Sequence, residues 1–148
     1  SPAAELMRPW AAACLESRWQ DVLKRGRGFD GLDAAQHHRL RIAAKRLRYT
    51  ADVLGSAFAG QRKFMDRLAS LQEYLGALQD NVVASRMLSG LGTRSQAMRF
   101  DAGRLVGVLA GEREGQGPGG GKAWRALAHS RPFWRIKTSK AGIRPGKR

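Results

Sequence analysis

The chain has 148 residues, 43% of them hydrophobic, a length and composition that suit a single folded domain. It carries 27 Lys and Arg against 12 Asp and Glu, a formal net charge of +15. A chain this basic repels itself, so we expect an anionic partner such as nucleic acid, a membrane surface or another polyanion. No apolar run is long enough to cross a bilayer, and no signal peptide is recognisable.

The hydrophobic pattern predicts an all-α fold, a bundle of about five helices. No segment shows the sustained alternation of polar and apolar residues that is typical of a strand. The predicted helices cover residues 3–24, 34–54, 61 to between 80 and 91, 95–113 and 123–130.

Two local patterns place the second and third helices. Asp33 and Gln36 have the spacing of a capping box, and Gly55 fits the end of the same helix. In the third helix, apolar residues step alternately by four and three positions, which predicts a seam for packing on another helix. The residues of this seam are Phe64, Leu68, Leu71, Leu75, Leu78 and Val82.

After the fourth predicted helix comes a glycine-rich stretch, residues 115–121, whose composition is typical of a flexible linker. Gly121-Lys122 is not a phosphate-binding loop, because Ala123 stands where that motif needs Ser or Thr and no strand precedes it. Phe133-Trp134 is expected to dock on the bundle, and residues 136–148 are predicted to be a basic flexible tail.

Four side chains of the second helix form what we call the basic stripe. At about 100° per residue, they fall within a sector of about 80° and extend over roughly 15 Å. A separate sector carries Leu40, Leu47 and Leu54, which predicts a packing face beside the stripe. The residues of the basic stripe are His38, Arg41, Lys45 and Arg48.

Two interpretations of the basic stripe stay open on spacing alone. Like charges three or four residues apart destabilise a helix by about 0.2–0.5 kcal/mol per pair, which favours an anionic ligand or carboxylates from a neighbouring helix. Arginine suits bidentate contacts to phosphate, and lysine acts as a mobile point charge. A solvated surface face is the alternative. A zinc site at His37 and His38 is disfavoured because adjacent helical residues diverge by about 100°.

The run His38-x-x-Arg41-x-x-x-Lys45-x-x-Arg48-Tyr49 resembles the signature helix of the CHAD domain, the conserved histidine α-helical domain. Leu71-Gln72-x-x-Leu75-Gly76-x-x-x-Asp80 resembles the helix that follows it in this family, and Arg131-Pro132-Phe133-Trp134 resembles the family's C-terminal end. The chain is most similar to the second of the family's two helical halves, so we expect a CHAD-like domain over residues 1–135.

The resemblance implies a non-catalytic module that binds inorganic polyphosphate through the basic stripe, without cofactor or metal. It further implies a flanking contact by Tyr49, a close helix approach at Gly76 and an orienting role for Asp80. A CYTH-type triphosphatase, a second copy of the chain and cytoplasmic polyphosphate granules are the implied partners and location. From the charge pattern we add Lys63 and Arg67 as polyphosphate contacts, and consider three further arginines of the neighbouring segments, Arg86, Arg99 and Arg104.

Two rival functions remain. A helical nucleic-acid-binding protein would satisfy the charge, but no helix-turn-helix signature is present and aromatic residues are only 7% of the chain. A phosphate-handling enzyme, or the accessory half of a triphosphatase, would need carboxylates to hold a divalent metal. Glu73 and Asp80, seven residues apart, are the candidate pair, although pairing with Arg or Lys explains them equally well.

Overall fold

The computed structural model describes residues 2–92 and 120–135. Within these ranges the chain forms four α-helices and no strand, which confirms the all-α prediction. Helix α1 is Pro2–Gly26, α2 is Ala34–Leu54, α3 is Arg62–Gly92 and α4 covers residues 120–128. Short 3-10 turns at Phe29–Gly31 and Gly55–Ala57 join the first three helices. The fourth predicted helix, residues 95–113, and the predicted tail lie outside the described residues.

Helix α1 is two residues longer at its C-terminal end than its sequence pattern indicates. Ala11, Leu15, Trp19 and Val22 form its buried stripe, while residues 2–10 are exposed. Its last residue, Gly26, lies against the indole ring of Trp124, in a space that no side chain could share. The spacing of hydrophobic residues does not indicate a glycine that is required by packing against a distant side chain.

Helix α2 agrees with its prediction at both ends. Asp33 accepts a hydrogen bond from the backbone N–H of Gln36 at 2.8 Å, and its own N–H donates to the Gln36 side chain at 2.9 Å. This is the predicted capping box. Gly55 follows as the C-cap residue. The buried face contains Leu40, Ala43, Ala44, Leu47 and Ala51.

Helix α3 contains the predicted seam. Phe64, Leu68, Leu71, Leu75 and Leu78 are all buried, and Val82 is half-buried. Of the two predicted ends, the structure selects the later one. The helix runs without interruption past Asp80 to Gly92.

The glycine-rich stretch contributes to a helix rather than only to a linker. Gly120 and Gly121 are buried and helical, so the described part of α4 includes three residues before the predicted start at residue 123. A Cβ at Gly120 would clash with the Tyr74 ring, and one at Gly121 would meet Asp30 at 2.9 Å and Arg125 at 3.0 Å. These glycines therefore allow close packing of α4, so the linker prediction is wrong for them. Residues 115–119 lie outside the described part.

The predicted docking of the C-terminal aromatics is confirmed. Trp134 is 1% exposed and meets Phe64 and Trp19 edge to face, with ring centroids 5.1 and 6.3 Å apart. Its indole N–H donates to the Glu16 carboxylate at 2.6 Å, and Arg135 binds the same carboxylate at 2.7 Å. The segment after α4 thus completes the core formed by α1, α2 and α3.

Across the described ranges, no helix combines the length and the apolar character that crossing a membrane requires.

Candidate anion-binding site

The basic stripe lies along one edge of the buried face of α2. On the helical wheel its centre stands roughly 130° from the centre of the buried face, so its side chains leave the core toward solvent. Arg41 and Lys45 are half-buried, whereas His38 and Arg48 are exposed. All four long side chains can therefore keep their polar ends in water while their stems cover apolar surface.

The stripe borders helix α3. Arg48 donates a hydrogen bond to the Gln72 side-chain oxygen at 3.1 Å. At the other end, His38 shares a small surface depression with Gln79 and Val82 of α3. Because α2 and α3 run antiparallel through the short turn between them, the stripe follows α3 from Gln72 to Val82.

In the described part of the chain, no carboxylate forms an ion pair with a cation of the stripe. Among the described residues, none of its four members forms an ion pair, and the Arg48 hydrogen bond goes to a neutral amide. The sequence left two explanations for these like charges, an anionic ligand or carboxylates from a neighbouring helix. The second is not seen in this part of the chain. Within residues 2–92 and 120–135, the positive charge along this edge of α2 is thus not compensated by an ion pair.

Gln72 and Gln79 are neighbours of the stripe to which the sequence assigned no role. They lie seven residues apart on α3, so they project from nearly the same side of that helix, about 20° apart. Each side-chain amide carries two N–H donors. The only sequence signal is their period of seven beside the leucine seam, which is equally typical of a boundary between core and solvent.

Tyr49 stands beside the stripe on the wheel, about 40° from Lys45. Its side chain is 64% exposed, so it does not pack against the described part of the protein.

Lys63 and Arg67 are not brought to the stripe. On α3 they stand roughly 180° and 140° from Gln72, the residue that contacts Arg48. Arg67 instead donates to the Ser130 hydroxyl at 2.7 Å, which ties α3 to the end of α4. Their charge suggested a groove shared with the basic stripe, but both residues lie on the side of α3 that faces away from Gln72.

Other candidate residues have varied surroundings. Gly76 has no described atom within 4 Å of the position that a Cβ would take, so the close helix approach expected there is not seen in this part of the chain. Asp80 is exposed and makes no ion pair with a described residue. Arg86 is exposed near the end of α3. Arg99 and Arg104 lie outside the described residues.

Metal-ligating side chains do not cluster in the described ranges, where no group of three or more His, Cys, Asp or Glu could hold an ion. Glu73 and Asp80 are both exposed on α3. The adjacent histidines diverge as predicted, because His37 meets the Phe29 ring edge to face at 5.4 Å while His38 is exposed.

The four residues of the basic stripe thus lie together along one edge of α2, within a helical bundle. A family model for the CHAD domain matches residues 1–89. The chain belongs to the CHAD domain family. The matched segment includes α1, the whole basic stripe, and Gln72, Gly76 and Asp80 of α3, whereas the docked Trp134 segment lies beyond it. No curated protein and no solved structure matches the chain.

Proposed function

We propose that this CHAD domain binds inorganic polyphosphate, without chemical conversion, along the basic stripe. The main support for the proposal is the alignment of half-buried Arg41 and Lys45 with exposed Arg48 along one edge of α2, with no carboxylate partner among the described residues. Since like charges on one helix face are destabilising, an anionic ligand would relieve their repulsion.

A linear polyanion fits the shape of the stripe. Polyphosphate carries charge on every unit and has no sequence to read, so recognition would rest on charge density and on guanidinium geometry. The stripe extends for roughly 15 Å along α2, which offers several consecutive phosphates a cation each. His38 would add an imidazole N–H donor at one end of the stripe.

Helix α3 would provide the second wall of the site. The amides of Gln72 and Gln79 can donate to phosphate oxygens beside the stripe. Gly76 lies between them, about 40° from Gln72 on the wheel. A glycine inside a helix costs roughly 0.5–1 kcal/mol relative to alanine, and no described neighbour requires one here. Space for the ligand over this part of α3 would explain it.

The test is polyphosphate affinity measured over a salt series for a variant with Arg41→Gln, Lys45→Gln and Arg48→Gln. The logarithm of the binding constant falls linearly with the logarithm of the salt concentration, by about 0.7 per phosphate contact. If each of the three cations contacts one phosphate, this slope should be smaller in magnitude by about 2 in the variant than in the wild-type protein. Between 50 and 200 mM salt, the wild-type protein would then lose roughly 16-fold more affinity than the variant.

The control removes the same charge from other surfaces, through Arg18→Gln, Arg46→Gln and Arg131→Gln. All three arginines are exposed and lie away from the stripe. If the two triple variants bind polyphosphate alike, general charge attraction explains the binding and the stripe assignment is wrong.

Preference for duplex DNA or RNA over polyphosphate at fixed salt would favour a nucleic-acid-binding function, and metal-dependent phosphate release from tripolyphosphate would favour an enzyme.

The partners and location implied by the family stay part of this proposal. A second copy of the chain would place two basic stripes along one polyphosphate chain, and a CYTH-type triphosphatase would act on the polymer that the stripe holds. Light scattering with and without polyphosphate measures whether the chain dimerises. Co-purification measures whether a triphosphatase associates with it. Association with cytoplasmic polyphosphate granules would follow from the same binding.

A further inference from the structure

A second group of cations lies where α1 ends and α2 begins, on the opposite flank of α2 from the basic stripe. It surrounds a cleft of about 160 Å³. A cleft of this size holds more than one water molecule and has room for a phosphate-sized anion. The residues that line the cleft are Lys24, Arg25, Arg27, Leu32, Gln36 and Arg39. We call the four cations the corner cluster.

Among residues 2–92 and 120–135, carboxylates compensate only one of the four cations of the corner cluster. Asp21 pairs with Arg25 at 3.5 Å. Asp30 is directed to Arg125 at 3.7 Å, and Asp33 accepts the capping hydrogen bond of α2. Among the described residues, Lys24, Arg27 and Arg39 therefore have no ion-pair partner.

The backbone that carries the cluster is held in place from the inside. Gly26 is buried against Trp124, whose ring stacks on Phe29 with centroids 5.8 Å apart and planes 6° from parallel. Gly28 then takes a left-handed conformation, with φ of 69°, that turns the chain. Arg25 and Arg27 flank the buried glycine and are exposed, so packing fixes the turn that presents them.

Favourable interaction with helix ends accounts for only part of the cluster. Lys24 and Arg25 lie in the last turn of α1, where cations complement the negative end of the helix dipole. Arg39 lies in the second turn of α2, near the positive end of that helix, and no acidic residue occupies the first turn. A cation there gains nothing from the dipole, so its position next to Lys24 and Arg27 calls for another explanation.

We propose that the corner cluster is a second anion site that takes one compact phosphate group, either free orthophosphate or a terminal unit of a phosphate chain. Arg27 and Arg39 would form charge-assisted hydrogen bonds to its oxygens, and Lys24 would add a point charge. The body of α2 separates this site from the basic stripe. The proposal therefore does not depend on polyphosphate binding by the stripe.

The test titrates protein labelled with nitrogen-15 with orthophosphate, and separately with long polyphosphate, while following the arginine Nε–H resonances. Sodium chloride at equal ionic strength serves as the reference. We expect saturable shifts at Arg27 and Arg39 with orthophosphate that chloride does not reproduce. In the double variant Arg27→Gln, Arg39→Gln, the affinity for orthophosphate should fall by about tenfold or more, because charge-assisted contacts are the strongest that these side chains make.

Arg46→Gln is the matched control, since Arg46 lies seven residues after Arg39 on the same exposed flank of α2 but outside the cleft. It should bind orthophosphate like the wild-type protein. The triple variant at Arg41, Lys45 and Arg48 should also keep this binding, even if the stripe proves to bind nothing. Shifts that do not saturate, equal shifts with chloride, or an unchanged affinity in the folded double variant would overturn the proposal. The proposal would also be wrong if Arg27 and Arg39 shifted only with long polyphosphate and these shifts disappeared in the triple variant at Arg41, Lys45 and Arg48.

Discussion

Trp134 provides the sharpest test of the architecture, because it lies beyond the segment that matches the family model. It is 1% exposed, and it contacts the rings of Trp19, Phe64 and Phe133. Its indole N–H also donates to Glu16. If this segment belongs to the core, truncating Trp134 must destabilise the whole bundle.

The expected magnitude follows from burial. A buried tryptophan removes about 150–250 Å² from water, and at about 25 cal/mol per Å² this corresponds to roughly 4–6 kcal/mol as an upper bound. Measured substitutions of buried Phe or Trp by Ala cost about 3–5 kcal/mol. We therefore expect Trp134→Ala to lower the free energy of unfolding by about 3–5 kcal/mol. Trp134→Phe keeps a ring but loses the donor to Glu16, so about 1–2 kcal/mol is expected.

Urea unfolding followed by circular dichroism measures both variants. Trp10→Ala is the control, because Trp10 is 55% exposed on the N-terminal part of α1 and should change stability by less than about 1 kcal/mol. An unfolding midpoint for Trp134→Ala equal to that of Trp10→Ala would refute the reasoning. It would mean that residues 131–135 do not complete the core.

Two further predictions concern the same packing. Burial raises the pKa of Glu16, but hydrogen bonds from Arg135, Trp134 and Gln20 outweigh it, so the pKa lies below 4.5. The stabilisation by this carboxylate is therefore complete above pH 4.5 and is lost as the pH falls through the lowered pKa. The difference in Tm between the wild-type protein and Glu16→Gln should be larger at pH 7 than at pH 3, and a constant difference would contradict the assignment. Gly26→Ala should cost about 1–3 kcal/mol, because the Trp124 ring must move. Gly31→Ala, where no atom lies within 4 Å of the added carbon, should stay within about 0.5 kcal/mol in the same thermal unfolding assay.

The features that the sequence predicted correctly depend on neighbours within one or two helical turns. The capping box of Asp33 and Gln36 needs only a spacing of three residues. The seam from Phe64 to Leu78 needs only the helical period, and so does the separation of the basic stripe from the buried face of α2. These patterns are readable because the contacts that fix them are local.

The features that the sequence did not predict depend on contacts between distant segments. Gly120 looks like part of a linker until the Tyr74 ring is placed against it. Lys63 and Arg67 were grouped with the stripe by charge, although only the packing of α3 decides which of its faces borders α2. Gln72 gained a place beside the site through its contact with Arg48, a residue 24 positions away. Charge and composition do not determine such contacts.

The hydrogen bond between Glu16 and Trp134 also bears on how the protein is made. The two residues are 118 positions apart, and a ribosome adds about 5–20 residues per second. Roughly 6–24 seconds therefore pass between the synthesis of Glu16 and that of its partner. During this interval Trp19, and Phe64 once it has been synthesised, lack the ring that packs against them in the finished domain. We therefore expect the nascent chain to expose aromatic surface that favours aggregation or chaperone binding until residue 134 has been added.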